Sequence, residues 1–337
     1  SLIPEEIMAL SNSQYDEIMR DYDRQQLEDR RILDERRKSV YARVPRLQEI
    51  DAAVASSSVR KARLLLDGDP SAIASLKDEL NALREERNRL LKENGYSPEY
   101  LHPVYRCPDC KDTGYINGQK CHCFKQAIIN TVYAQSNIQT ILERENFEHF
   151  SFDFYSDDDI STTTGLSALA TARQAVESCH QFIDDFDNKP KNLFFYGDTG
   201  VGKTFLSNCI AKELLDKGYS VIYFTAFQLF DILSKGVFEK DADAIAAHQN
   251  IFDCDLLVID DLGTELSNSF TTSQLFLCVN ERLLRHKSTI ISTNLNFNQI
   301  VDIYSERTFS RICGDYTMIK LFSKMDIRIQ KQQRPPR

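Results

Sequence analysis

The chain contains no apolar run approaching the ~20 consecutive residues that a membrane-spanning helix needs. Its first residues, Ser1 to Leu10, carry neither the basic flank nor the small-residue cleavage site of a secretory signal. No membrane contact is expected, and a cytoplasmic location is. Basic residues are in deficit: 41 Lys and Arg stand against 50 Asp and Glu, a formal net charge of -9. That balance excludes a protein that coats nucleic acid by bulk charge and leaves room only for a local basic surface. Cysteine is not lacking, but five of the nine (Cys179, Cys209, Cys254, Cys278, Cys313) sit scattered inside apolar patterns. There they read as small core side chains in a reducing compartment. With 337 residues, 42% of them hydrophobic and 27% charged, the chain is globular and long enough for two or three domains.

Helix breakers are scarce near the start. From Glu5 to Asn94 the sequence is rich in Glu, Asp, Arg, Lys, Gln and Leu, and Pro45 and Gly68-Asp69-Pro70 are its strong interruptions. Three helices are predicted, to about residue 43, over 45–66 and over 71–93, the last capped by Asn94-Gly95. Ile73, Leu76, Leu80, Leu83 and Leu90 keep three-and-four spacing, interrupted by Arg87. This predicts an arm over 1–95 built as an antiparallel helical pair or short coiled coil. Charge blocks such as Arg84-Glu85-Glu86-Arg87 read as solvated faces, and the arm is too thin for a large core of its own. It either packs within the chain or docks on another protein.

Residues 96–145 form the next expected module. Cys107-Pro-Asp-Cys110 and Cys121-His-Cys123 flank a stretch containing Asn117-Gly118, a strong hairpin-turn signal. A ribbon folded there brings Cys107, Cys110, Cys121 and Cys123 together as a closed, structural Zn2+ site. The second pair is tighter than usual, so His122 or His102 is open as a substitute ligand. A redox role is the weaker reading, because no thioredoxin-like pattern surrounds the motif. An amphipathic helix is predicted over 124–142. The aromatic cluster Asn146 to Phe150 follows, either core or the wall of a base pocket. Asp157-Asp158-Asp159 follows in turn, with a domain boundary near here.

The stretch Asn192 to Thr204, NLFFYGDTGVGKT, organises the remainder, 146–337. An apolar strand pattern runs into Gly197-x-x-x-x-Gly202-Lys203-Thr204, a complete P-loop, and a periodic helix follows. Gly197, Asp198, Thr199, Gly200, Val201 and Gly202 supply backbone N–H groups to phosphate oxygens, Lys203 an ammonium, Thr204 a hydroxyl for Mg2+, and Phe205 the start of the helix. A hydrolase of this kind needs a carboxylate from a neighbouring strand. Asp255 to Gly263, DLLVIDDLG, delivers Asp260 for the metal and Asp261 beside it. Apolar strands alternate with helices through the whole region, so the predicted fold is α/β, a doubly wound parallel sheet with helices on both faces.

GDTGVGKT, LLVIDDLGTE, IISTNL and ERTFSRI together resemble the AAA+ ATPases, and within them the bacterial replicative helicase loaders of the DnaC and DnaI type, related to the transposition ATPase IstB. The resemblance runs from about Phe147 to Phe322. It implies that Asn294 is a sensor orienting the attacking water. It also implies that Arg311, or else Arg307, is a finger reaching the nucleotide of a neighbouring copy. Asp261 stands where much of the superfamily has Glu, so slow or partner-stimulated hydrolysis is expected, with Glu265 as a candidate replacement base. The fifteen residues after Phe322 are too few for a helical lid domain, leaving Arg328 as a stand-in for a lid-borne sensor. The implied function is ATP-dependent loading of a hexameric replicative helicase onto single-stranded DNA. ATP, Mg2+ and Zn2+ are the expected cofactors, self-association occurs through the ATP interface, and Phe227, Lys235 and Lys240 are candidates for DNA contact. The alternatives are an IstB-like ATPase assisting a transposase, and a zinc and coiled-coil adaptor that keeps nucleotide as a structural ligand.

Overall fold

A computed structural model describes residues 10, 12–67, 70–132, 138–188, 191–238 and 242–333. It divides into two compact units, Met19–Ile116 and a larger one formed by Ser1–Ile18 with Asn117–Arg337.

The smaller unit is helical. Helices α1 (Asn12–Arg43), α2 (Pro45–Asp67) and α3 (Pro70–Glu93) follow the predicted breaks closely. Pro45 opens α2, where a missing N–H costs nothing. Gly95 ends α3 with φ +80°, its N–H on Lys92 O at 3.1 Å and that of Tyr96 on Leu91 O at 2.9 Å. This is the left-handed cap that the Asn94-Gly95 pair predicts. Val40, Leu47, Leu91 and Leu101 are fully enclosed, with Tyr41, Tyr96 and Tyr100 against them. Burial of each such aliphatic side chain contributes about 1.5–3 kcal/mol. The seam at the end of α3 runs through Leu91 rather than Leu90, which is only partly covered. Arg87 does not break the packing, because its Nε lies 2.9 Å from Asp51 Oδ1, and Tyr41 donates to the other oxygen of the same carboxylate at 2.5 Å. Leu76 and Leu80 are buried, while the side chain of Ile73 lies outside the described residues.

The larger unit holds a five-stranded sheet. The elements in order are the short ribbon β1 (Tyr115–Ile116, in the smaller unit) and β2 (Gln119–Lys120), then α4 (His122–Val132), α5 (Ile138–Leu142), α6 (Ala168–Asp184), β3 (Leu193–Tyr196), α7 (Lys203–Asp216), β4 (Val221–Thr225), α8 (Ala226–Phe238) and α9 (Ala242–Asp253). After these come β5 (Leu256–Leu262), α10 (Ser269–Leu284), β6 (Ser288–Thr293), α11 (Phe297–Tyr304), α12 (Glu306–Asp315), β7 (Thr317–Lys320) and α13 (Ile327–Gln333). The main sheet has the order β4-β5-β6-β3-β7, and every pairing is parallel. All five carboxyl ends therefore lie on one edge, where open α/β sheets bind ligands.

Parallel strands covered on both faces must be apolar throughout, and β5 and β6 are almost wholly buried. Ala168, Ala172 and Ala175 give α6 a smooth face against the core formed by Leu193, Phe195, Leu206 and Ile210. The amphipathic stretch predicted over 124–142 is two described helices, α4 and α5, with residues 133–137 outside the described residues. Helix α9, and the pair α11 and α12, have no counterpart in the sequence reading. No helix of the described residues is long and apolar enough to cross a membrane.

Candidate functional site

The P-loop follows β3 and ends on α7, whose N-cap is Gly202 at φ +100°. Gly197 adopts φ +140°, and a Cβ placed on it would fall 1.9 Å from the carbonyl oxygen of Leu321, so no other residue fits this first turn. Lys203 is buried and its ammonium is fully engaged, donating to Gly197 O at 2.8 Å, Asp198 O at 2.7 Å and Asn294 Oδ1 at 2.5 Å. Burial lowers the Lys203 pKa, against the opposing pull of Asp261, Asp260 and Asp198. Thr204 Oγ1 lies 3.1 and 3.0 Å from the two oxygens of Asp260. The two residues expected to share Mg2+ are therefore side by side, one from the P-loop and one from the strand two places away in the sheet.

Regular strand alternation would send the side chains of Asp260 and Asp261 to opposite faces. Strand β5 avoids this with an irregularity: Ile259 pairs with Ile291 and Leu262 with Thr293, one more residue on β5 than on β6. Asp261 takes the left-handed conformation, φ +54°. Such bulges re-aim side chains and are frequent beside active sites. Ser292 of β6 locks the arrangement, its hydroxyl donating to Asp260 Oδ1 and accepting from the Asp261 N–H at 3.0 Å. Burial raises the Asp261 pKa, as does the neighbouring Asp260, while Lys203 and Arg328 oppose the shift.

Arg307 and Arg311 are one helical turn apart on α12 and both are exposed. Each lies on α10: the Arg307 guanidinium sits 4.2 Å from the centre of the Phe276 ring, and Arg311 donates to Asn280 at 3.1 Å and approaches Asp315 at 3.6 Å. Within one chain neither reaches the P-loop partners just described. Glu265, the candidate replacement base, is buried and committed elsewhere: one oxygen accepts from Gly263 N–H at 2.9 Å and the other from the Tyr304 hydroxyl.

Helix α13 closes the other side of the P-loop. Ile327 N–H donates to Gly200 O at 2.9 Å, and the Asp326 carboxylate lies where a side chain on Gly200 would be. Lys331 stands 5.6 and 5.5 Å from the rings of Phe154 and Phe205. Phe150 meets Phe205 edge to face at 5.8 Å, and the Tyr155 hydroxyl donates to Val201 O at 2.8 Å. The aromatic run ahead of the P-loop packs on the core of the larger unit and lies against the loop, Phe147, Phe150, Phe152 and Phe154 all being partly buried. Sequence reasoning missed how α13 seats on the loop, because a short polar helix carries little periodic signal.

The predicted hairpin turn forms. Asn117 and Gly118 take φ +51° and +82°, the turn that tight hairpins favour. Cys107 and Cys110 are buried in the smaller unit, and in the larger one Cys121 is buried and Cys123 half-buried. Gly114 N–H donates to Cys110 Sγ at 3.3 Å, and Asp112 accepts from the N–H groups of Arg106 and Cys107 at 2.8 Å each.

The family of IstB-like ATP binding proteins matches this chain over residues 132–316, more than half of its length. The chain belongs to that family. Among curated relatives, the replicative helicase loader DnaC of Escherichia coli K12 is 25% identical over 221 residues, spanning 64% of this chain and 84% of DnaC. YqaM of Bacillus subtilis is 26% identical over 235 residues, 66% of this chain and 68% of YqaM. The crystal structure of the DnaC helicase loader covers 54% of this chain and 99% of its own at 21% identity, with a TM-score of 0.44. The P-loop, the acidic strand and α12 all fall inside the matched stretch.

Proposed function

We propose that this chain is a Mg-dependent ATPase that loads a hexameric replicative helicase onto single-stranded DNA. The observation that carries the reading is the convergence of Lys203, Thr204, Asp260, Asp261 and Asn294 on one edge of the sheet. The relative named as a helicase loader, matched over most of its length, gives the direction of the assignment.

ATP and Mg2+ supply a transferable phosphoryl group and the charge that polarises it. The loop 197–202 turns N–H groups on the phosphates, and Thr204 with Asp260 holds the metal. Lys203 exchanges its contact with Asn294 for phosphate oxygens, which frees the Asn294 amide to orient water. Asp261 is one methylene shorter than the glutamate common at this position and holds a water less readily, which agrees with slow hydrolysis that awaits a partner. Arg311, or Arg307 beside it, completes the site of a second copy, because α12 presents both on an exposed face away from their own P-loop. The four cysteines hold Zn2+ as a structural staple. Phe227 is 66% exposed and Lys235 is exposed on the same helix, paired with Asp231 at 2.7 Å, which suits a modest single-strand contact. Lys240 lies outside the described residues.

The test is size analysis of this protein mixed with the hexameric helicase of its host, with and without ATP. A complex whose formation or release depends on ATP, and is altered by Lys203→Ala, is expected. Capture of a transposase in place of the helicase would move the assignment to the transposition ATPases. A complex indifferent to Lys203→Ala would make the nucleotide a structural ligand.

A further inference from the structure

The loop after β5 leads away from the metal site and is tied to the arginine helix through Glu265 and Tyr304. Thr293 of β6 donates to Leu262 O at 2.6 Å, which binds the end of the sensor strand to the end of the acidic strand. Gly263 follows at φ +104°, its Cα within close reach of the Leu295 side chain just beyond Asn294. Glu265 then folds back, taking the Gly263 N–H on one oxygen and the Tyr304 hydroxyl on the other. Tyr304 is completely enclosed. Its single polar atom is spent on that carboxylate, and burial followed by Glu265 itself pushes its pKa well up, so it stays a donor.

Tyr304 is the last residue of α11, and only Ser305 separates it from α12. Ser305 has φ +79° and ψ +152°, a combination that is otherwise almost confined to glycine and costs about 1–3 kcal/mol. It caps both helices at once: its N–H donates to Val301 O at 3.0 Å, and its hydroxyl receives the Thr308 N–H. A strained corner of this kind persists only where its surroundings fix it. Tyr304 on one side and buried Thr308 on the other do so. Thr272 adds a bond from α10 to Ile303 O at 3.1 Å.

We infer that Glu265 and Tyr304 are positioning residues that hold the arginine helix in register with the chain's own acidic strand, so that a second copy receives the guanidinium correctly placed. This rests on the reading that an arginine of α12 acts on the neighbour's triphosphate. It assigns Glu265 to the presentation of the arginine, in place of a proton-accepting role in its own pocket. A short turn and two helices would then transmit the state of one pocket to the next without any contact between the pockets themselves.

Mixing two crippled chains separates the possibilities. Lys203→Ala keeps the arginine helix but loses its pocket, and Arg311→Ala keeps the pocket but loses the arginine, so hydrolysis in the mixture arises where the first serves the second. Tyr304→Phe, which removes one oxygen and keeps the ring, is placed on one chain or the other. On the Lys203→Ala chain it is expected to lower the recovered kcat at least tenfold with KM held, and Glu265→Gln there to act in the same direction. On the Arg311→Ala chain Tyr304→Phe is expected to change recovery less than twofold, with binding of a fluorescent ATP analogue retained. Equal losses on both chains, or none on either, overturn the inference. Absence of recovery before Tyr304 is touched sinks the arginine-in-trans reading, and this inference with it, whereas recovery indifferent to Tyr304→Phe sinks the inference alone.

Discussion

Lys203 Nζ and Asn294 Oδ1 are joined by a 2.5 Å hydrogen bond across the gap between β3 and β6. The P-loop lysine is therefore held by the amide that the triphosphate must displace. Asn294→Ala should leave nucleotide affinity within a few-fold while lowering kcat about a hundredfold, since a positioned polar group beside the reacting phosphate is lost. Asn294→Asp should do the reverse on binding. A carboxylate there neutralises Lys203 and repels phosphate, weakening ATP at least tenfold in a fluorescence titration.

Asp261→Asn isolates charge from shape, because asparagine tolerates the left-handed backbone that Asp261 adopts at φ +54°. Hydrolysis should fall by about 10²–10⁴-fold. Stability should move the other way. The folded pKa of Asp261 is raised, by burial first and then by Asp260, so ionisation costs folding free energy as pH rises from the ordinary Asp value of about 4 through the folded value. The variant escapes that cost. Its melting midpoint should exceed that of the parent near pH 7 and converge with it at low pH.

Asp255 gives the opposite sign at the other end of the same strand. Burial alone would raise its pKa, yet bonds from Ser220 and the charge of Lys287 hold it below the usual carboxylate range. Its contribution is fully present above the unfolded Asp value and is lost as pH falls through the folded one. Asp255→Asn should therefore destabilise at pH 7, with a difference that shrinks in melts taken towards pH 3.

Arg282 is completely buried with no carboxylate partner among the described residues, satisfied by Ile251 O at 2.7 Å, Cys254 O at 3.1 Å, Ser288 O at 2.5 Å and Thr289 Oγ1 at 3.0 Å. It ties the end of α9 to the starts of β5 and β6. Arg282→Met should cost about 3–5 kcal/mol, because several buried carbonyls lose their donor together. Lysine cannot reproduce the planar fork and should rescue little. Urea unfolding measures both.

Metal removal tests the ribbon. One equivalent of zinc is expected in purified protein, and chelation or Cys107→Ser should unfold the stretch around β1 and β2 while the five-stranded sheet keeps its nucleotide affinity. Hydrogen exchange resolved by segment would separate the two effects. Protection of 107–123 that is unaffected by chelator would count against a metal there.

The sequence by itself determined the parts whose chemistry is contiguous. Phosphate is held by successive N–H groups of one turn, so Gly197 to Thr204 must be adjacent in the chain, and a parallel sheet buried on both faces needs the apolar runs that mark β3, β5 and β6. Helix breaks at Pro45 and Gly95 were legible for the same local reason. Tertiary structure alone decided what depends on segments far apart. The bulge that turns Asp261 beside Asp260 is set by pairing with β6. The satisfaction of Arg282 by three carbonyls, the seating of α13 on Gly200 and the bond from Glu265 to Tyr304 each join residues whose neighbours in sequence give no sign of the partner. A side chain's type states what bond it needs, but only the fold states which atom, dozens of residues away, supplies it.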